Sequence, residues 1–298
     1  MRVTFGSSMV PELADLQQSA SELAKYQEQV SSGKRVSLPS DDPSAMADSI
    51  RQNADLSSID ELTLTADSAN SRLTVTDSVL TDLVNQLTSA QSVVASALGT
   101  TQTASQRDAL AQQLAGVRDA IFSDMDTTFS GSYLFSGGLG QTAPYTKNPD
   151  GSVSTYQGDT KPMSVNVGQN EAVPISFDGS AMMQGSDSQD LFAAFQQLIT
   201  AVQTGDQAGM TAGQTALTNA FNRVTGTQST VGANLDAISN QEARLSTMQL
   251  ADQSQLSTDV DANMAESISA MQQANTAYQA ALGAIGTSSK LSLLDYLT

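Results

Sequence analysis

Between Ile59 and Ala97 the apolar and small residues fall at Ile59, Leu62, Ala66, Ala69, Leu73, Thr76, Leu80, Leu83, Leu87, Ala90, Val94 and Ala97. The steps alternate between three and four without a break, and no Pro or Gly intervenes. This is a heptad seam, and it predicts a helix packed along its length on partner helices. At 1.5 Å per residue the stretch spans roughly 58 Å, long for a compact enzyme domain and natural for a fibre subunit.

The rest of the chain falls into elements around that helix. A second seam runs through Met9, Leu13, Leu16, Ala20, Leu23 and Val30, with Gln27 as its polar exception. Gly33 stands where a glycine ends a helix, and Val36 to Pro39 reads as extended linker. Asp42-Pro43 opens the next helix, with Asp42 as the cap and Pro43 in the first helical position. That helix passes through Ile50 and Ala54 into the long seam and stops near Gly99. Thr103 to Ser105 cap another, which carries Leu110, Leu114, Val117 and Ile121 on one face; a short connection makes the two antiparallel neighbours. Residues 131–185 hold nine of the 20 Gly and four of the seven Pro. Their period drops to two at Met163, Val165, Val167 and again at Val173, Ile175, Phe177. Asn148-Pro149-Asp150-Gly151 is a turn sequence, so this is a small β-rich insertion. Helical spacing returns at Leu191, Phe192, Phe195, Leu198, Ile199 and Val202, and breaks at Thr204-Gly205-Asp206. A second long seam then runs through Leu217, Phe221, Val224, Val231, Leu235, Ile238 and Leu245, and a last helix carries Val260, Met264, Ile268, Met271, Ala274, Tyr278, Ala281 and Ile285. The exposed face of this last helix is Gln, Ser, Asn and Thr, which suits packing against copies of itself better than bulk water. The end, Leu291 to Thr298, is apolar enough to need a docking site, with Leu293, Leu294 and Leu297 as its contacts.

Composition removes several function classes. With 31 acidic and 13 basic residues the formal charge is −18, which repels nucleic acid and anionic membranes. The chain has no Cys and no His, so thiolate metal sites, cysteine nucleophiles and the commonest general base are absent. Met1 to Pro11 lacks the pattern of a cleaved signal peptide, and no apolar run is long enough to span a membrane. No cofactor and no metal is expected. Asp41 and Asp42 are adjacent carboxylates, but a helix cap explains them better than a metal site, since no third ligand lies nearby. A carboxylate pair can act without His in glycoside hydrolysis. The insertion's acids, Asp150, Asp159, Glu171 and Asp178, sit at or near turns, where Asp has a local backbone role. A carboxylate-dependent enzyme or ligand-binding module is therefore a remote reading.

Helix at both ends with β in the middle is the plan of flagellin-type axial proteins. Gln29-Val30-Ser31-Ser32-Gly33-Lys34-Arg35-Val36 followed by Pro39-Ser40-Asp41-Asp42-Pro43 resembles the N-terminal signature of the hook–filament junction family, the third hook-associated proteins of the flagellin superfamily. Leu98-Gly99-Thr100, Arg107 to Leu110, Leu114 to Asp119, Gly131 to Gly137 and Leu291 to Leu297 are similar to later parts of that family. The resemblance covers roughly residues 1–145 and 205–298. Filament flagellin, on a related scaffold, is the alternative.

The expected fold is mainly α with a β-rich insertion: an elongated antiparallel helical bundle or coiled coil built from N- and C-terminal segments, with a small β domain between. Its parts would be an N-terminal coiled-coil helix (1–40), a helical rod in two halves (41–130 and 189–255), an outer β-rich insertion (131–188) and a C-terminal coiled-coil helix (256–298). The resemblance implies a non-enzymatic structural subunit, secreted unfolded through the flagellar type III route. It implies terminal helices that build an inner tube and partners that are copies of itself, the first hook-associated protein, flagellin and an export chaperone on the C-terminal helix. The assembly seam would be Met9, Leu13, Leu16, Leu23, Met264, Ile268, Met271, Tyr278, Leu293, Leu294 and Leu297. These terminal seams have few evident partners within one chain, so they are expected to pair only on assembly.

Overall fold

The structure, a computed structural model, describes residues 5–297 except 100, 101, 150, 169, 170 and 188, with side chains from 10 to 287. Its described elements are α1 (Phe5–Ser32), α2 (Pro43–Leu98), α3 (Ala104–Met125), β1 (Thr128–Phe129), β2 (Ser132–Tyr133), β3 (Ser164–Gly168), β4 (Glu171–Pro174), α4 (Gly179–Met183), α5 (Leu191–Thr204), α6 (Gln207–Val260) and α7 (Met264–Leu297). They divide into two compact units. One holds residues 1–59 and 247–298, the other residues 60–246.

The second unit is organised by the long seam. Of the twelve residues from Ile59 to Ala97, all but the half-buried Leu62 are buried, and Leu73, Leu80, Leu83, Leu87, Ala90 and Val94 have no exposed surface at all. α6 runs antiparallel to α2, as its cross-links show: Gln228 Nε2 donates to Asp77 (3.3 Å) and to Thr81 Oγ1 (3.0 Å), while Asn70 Nδ2 reaches Glu242 (3.4 Å). Leu217, Val224, Val231, Ile238 and Leu245 of α6 are buried at the expected spacing. α3 and α5 form a second antiparallel pair, with Arg118 bonded to Gln196 (2.9 Å) and the Phe122 and Phe192 rings edge to face at 6.5 Å.

Local chemistry sets the ends of these helices. Thr103 and Gln106 make a reciprocal capping box on α3, satisfying two donors that no helical carbonyl reaches. Asp190 caps α5 by accepting from Phe192 N at 2.8 Å. Gly205, with φ 77°, closes that helix in the left-handed region where a side chain would be strained.

The β region is smaller in regular strand than its alternation suggests. β1 and β2 form a hairpin whose central residues, Ser130 (φ 49°) and Gly131 (φ 77°), are both left-handed, matching the twist of the flanking strands. β3 and β4 pair antiparallel with Val165 opposite Val173. The alternation at Ile175 and Phe177 continues, but the partners change: Ile175 N bonds Met163 O (2.8 Å) and Phe177 N bonds Leu134 O (3.0 Å). The turn at 148 is present, with Gly151 N bonded to Asn148 O (3.0 Å) and Lys147 bridged to Val153; Asp150 lies outside the described residues. Leu134, Phe135, Tyr145, Val167, Val173 and Phe177 join the same core as the helices.

Burial within this unit perturbs its acids. Asp124, at the end of α3, has one carboxylate oxygen without a partner among the described residues. Burial, and then the nearby Asp82, push its pKa up to about 6. Burial raises Asp126 and Asp190 as well. Since the folded chain holds these protons more tightly than the unfolded one, ionisation costs stability above pH about 6, and that cost is relieved as pH falls toward the unfolded value near 4. The melting temperature should therefore rise on going from pH about 7.5 to about 5. Asp124→Asn should raise melting at the higher pH and flatten the rise. Calorimetry showing no change of profile in Asp124→Asn would contradict this account.

Candidate functional site

The sequence contains no catalytic constellation, so the candidate site is a surface: the terminal helices of the first unit and the joint that holds them. α1 ends at the joint and α7 starts from it, and the two pack on each other antiparallel within a single chain. This corrects the expectation that they pair only on assembly. The reason lies in the joint, whose backbone bonds set the helices side by side within one chain.

In the pair, the inward face of α1 is Leu16, Ser19, Leu23, Tyr26 and Val30, all half-buried. That of α7 is Ser267, Met271, Ala274, Tyr278, Ala281 and Ile285, with Ser267 and Ala274 buried. Both sets step by three and four, the spacing of a packed seam. Thus Leu16, Leu23, Met271 and Tyr278 are brought together in this pair. Leu13 (52% exposed), Met264 (42%) and Ile268 (40%) are not; they lie on outer faces with Val10 and Leu282. The register of α1 is set by Tyr26, so Gln27 faces water and is no exception to the pattern. Met9, Leu293, Leu294 and Leu297 lie outside the described side chains.

The joint is built from backbone. Gly33, with φ 72°, donates to Gln29 O (2.9 Å) to end α1, and its own carbonyl accepts from Ala262 N at 2.8 Å. Arg35 N donates to Val260 O at 2.7 Å and Lys34 bridges Asp261. The Arg35 guanidinium crosses the joint to Asp259 O (2.6 Å) and to Asp42 (3.3 Å), while Val36 is buried beneath. The linker is therefore a two-stranded tie. Asp42 caps α2 by accepting from Ala45 N (3.1 Å) and Ser44 Oγ (2.7 Å), and Pro43 is the first helical residue. The Ser44 hydroxyl, the Ala45 N–H and Arg35 hold the Asp42 carboxyl down at about 2. Asp41 is lowered by the N–H groups of Leu38 and Ser37. Each of the adjacent acids thus has its own backbone task.

The sequence reading ran straight through the break at 261–263, where neither Gly nor Pro stands. The usable signal was Asn263 with Glu266 three residues on. Asn263 Oδ1 caps α7 by accepting from Ala265 N (3.2 Å) and Glu266 N (3.4 Å). The insertion's acids also have structural partners: Asp178 caps α4 through Ser180 N (2.8 Å), Glu171 pairs with Arg244, and Asp159 accepts from Lys161 N (3.3 Å). Among the described residues no cluster of acids has metal-binding geometry, and no helix is long and apolar enough to cross a membrane.

The paired terminal helices carry an apolar outer stripe at Val10, Leu13, Met264, Ile268 and Leu282. Residues 9–139 match the bacterial flagellin N-terminal helical region. The chain is similar to flagellar hook-associated protein 3 of two bacteria. It is 27% identical over 300 residues to that protein of Escherichia coli and 26% identical over 299 residues to that of Salmonella typhimurium, covering 93% and 92% of this chain and 93% of each relative. Among solved structures, a putative flagellar hook-associated protein from Vibrio parahaemolyticus shares the fold with a TM-score of 0.70 at 19% identity, over 74% of this chain and 100% of that one. FlgL from Xanthomonas campestris does so with a TM-score of 0.60 at 16% identity, over 70% and 99%.

The joint predicts a protease pattern. Trypsin requires an extended Lys34 or Arg35, and both backbones are tied down in the intact joint. Asp42→Ala, which removes the cap and the Arg35 partner, should expose these bonds and speed cleavage there. Asp42→Asn keeps an acceptor for Ala45 N and should cleave more slowly than Asp42→Ala. Equal rates in both variants, read by mass spectrometry of early fragments, would assign the effect to the charge instead of the cap.

Proposed function

We propose that this chain is a structural subunit of the bacterial flagellum, seated at the junction between hook and filament and without catalysis. The observation that carries this reading is α7. Its residues 267–289 contain no Asp, Glu, Lys or Arg in a chain of formal charge −18, yet Met264, Ile268 and Leu282 face outward. A long uncharged stretch of helix with an apolar outer stripe is suited to a crowded helical layer, where an unpaired charge would be expensive. Val10 and Leu13 give α1 a matching stripe.

On this reading the inner seam joins α1 to α7 and the outer stripes meet copies of the chain. The first hook-associated protein lies on one side and flagellin on the other. The relatives' naming as hook-associated proteins supports that placement. The chain leaves the cell by the flagellar type III route, and an export chaperone covers the C-terminal helix beforehand. Leu293, Leu294 and Leu297 would make the last docking contacts.

The test is a chain lacking Leu291 to Thr298, expressed in a strain deleted for the full-length gene. The truncated chain should fail to enter sheared flagella, and the cells should release unassembled flagellin into the medium. Normal filaments carrying the truncated chain would refute terminal docking. Normal filaments in the deletion strain itself would refute the junction role.

A further inference from the structure

Two arginines of the second unit are buried, Arg118 (9% exposed) and Arg72 (6%). Arg118 has a carboxylate, Asp119, at 2.9 Å. Arg72 has none among the described residues. Its Nε donates to Ile175 O (2.7 Å) and its Nη2 to Tyr133 O (2.9 Å), so two carbonyls of the β region hold it. Carbonyl dipoles offset part of the cost of burying a guanidinium; a carboxylate offsets more, because a charged acceptor makes the stronger bond.

Arg72 does not sit in a closed core. It lines a groove of ≈ 460 Å³ whose walls include Leu64, Ala69, Phe129, Met163, Val165 and Ile175. Leu64, on the wall, is 69% exposed. A buried cation at the base of an apolar groove with an exposed leucine at its edge has the make-up of an interface anchor: one charge that fixes register and an apolar surround that excludes water.

We propose that this groove receives a carboxylate-bearing segment of a second copy of the same chain. The inference rests on the assembly role above and adds to it a contact outside the terminal helices. The occupant follows from charge. Acidic residues outnumber basic ones 31 to 13, so every copy carries carboxylates with no cation of its own to meet. Of the other cations in the second unit, Arg223 meets Asp187, Arg244 meets Glu171 and Lys147 meets Asp119, while Arg107, held by the carbonyls of Gln203 and Gln102, and Lys161 are not buried. Arg72 is the buried cation left for a neighbour. A groove on one copy that meets a different face of the next is a head-to-tail contact, which closes a ring or extends a helix.

The test places a photo-crosslinking residue at Leu64 in motile cells, followed by irradiation of intact flagella and mass spectrometry. The expected product is a crosslink between two copies, with an Asp or Glu close to the captured position. Ser68 lies in the same groove one helical turn before Arg72, so Ser68→Glu offers the guanidinium a carboxylate in its own chain. It should leave the monomer's melting temperature unchanged or raised and reduce the crosslinked dimer about tenfold, the scale of a lost interface anchor. Ser68→Gln, of the same size, should retain the dimer. A crosslink to a different flagellar protein overturns the second copy as occupant. A chain present in sheared flagella but never crosslinked from this position overturns the interface, and equal losses in Ser68→Glu and Ser68→Gln overturn the role of charge. A chain absent from flagella altogether defeats the assembly role and this contact with it.

Discussion

The structure depends first on one face of α2. Eleven of the twelve residues from Ile59 to Ala97 are buried, and they are small or aliphatic with a single hydroxyl, Thr76, whose Oγ1 returns to Arg72 O at 2.9 Å. A face this continuous cannot be satisfied by one short partner. It requires a second long helix, supplied by α6, whose own buried residues keep the same three-and-four spacing. Once those two are fixed, α3 and α5 have a surface to close on, and the 131–188 segment completes the core with Phe135, Tyr145 and Phe177. The irregular β region needs no extensive sheet because its apolar side chains have helices to pack on. Its backbone is held partly by short ladders and partly by Arg72 reaching its carbonyls.

The first unit works by a different means. Its helical faces bury little: Leu16, Leu23 and Met271 are only half covered, and Ser49 and Gln52 occupy inward positions at the start of α2. Order there comes from the backbone bonds between residues 33–36 and 260–262 and from the acids around them. Asp259 illustrates the economy of the arrangement. Its carboxylate accepts from Gln52 (3.0 Å) and Gln255 (3.1 Å), and its carbonyl accepts from Arg35. Polar bonds of this kind contribute modestly each and depend strongly on geometry. A glycine at 33, free to adopt φ 72°, is what lets the chain turn tightly enough to make them.

How much of this was legible in the sequence follows from that contrast. Where one face is deeply buried, periodicity reads it correctly: the α2 seam, Leu114 and Ile121 of α3, and the α6 seam all came out as spaced. The caps at Asp42, Thr103 and Gly33 were readable too, because capping is local chemistry. The reading slipped where burial is shallow. In α1 the apolar pattern supports two registers, and the half-buried aromatic Tyr26 decides between them in a way that counting Leu and Ala does not reveal. In α7 Met264 and Ile268 look like core and face outward, because a helix with two useful faces carries two stripes whose periods overlap. The break at 261–263 was missed because a polar cap ends one helix and starts the next without any breaker residue. The ties across the joint, from Arg35 to Asp259 and from Gly33 to Ala262, join positions more than 220 residues apart, and no local pattern encodes them.

A chain with few cations has to place each one carefully. Arg118, Arg223 and Arg244 bind acids and amides that hold loops onto helices, and Arg35 spans the joint. Lowering the number of charges also lowers the cost of bringing many identical copies together, since each unpaired charge moved into a crowded interior must be desolvated. The distribution reflects this: acids occur along α1, α2 and the second unit, while α7 carries none between residues 267 and 289. Solubility before assembly and close packing after it make opposite demands on one surface. This chain meets both by leaving residues 267–289 of α7 with hydroxyls, amides and methyl groups, which can face water or one another at little cost, and carrying its net charge on the other elements, α1 among them.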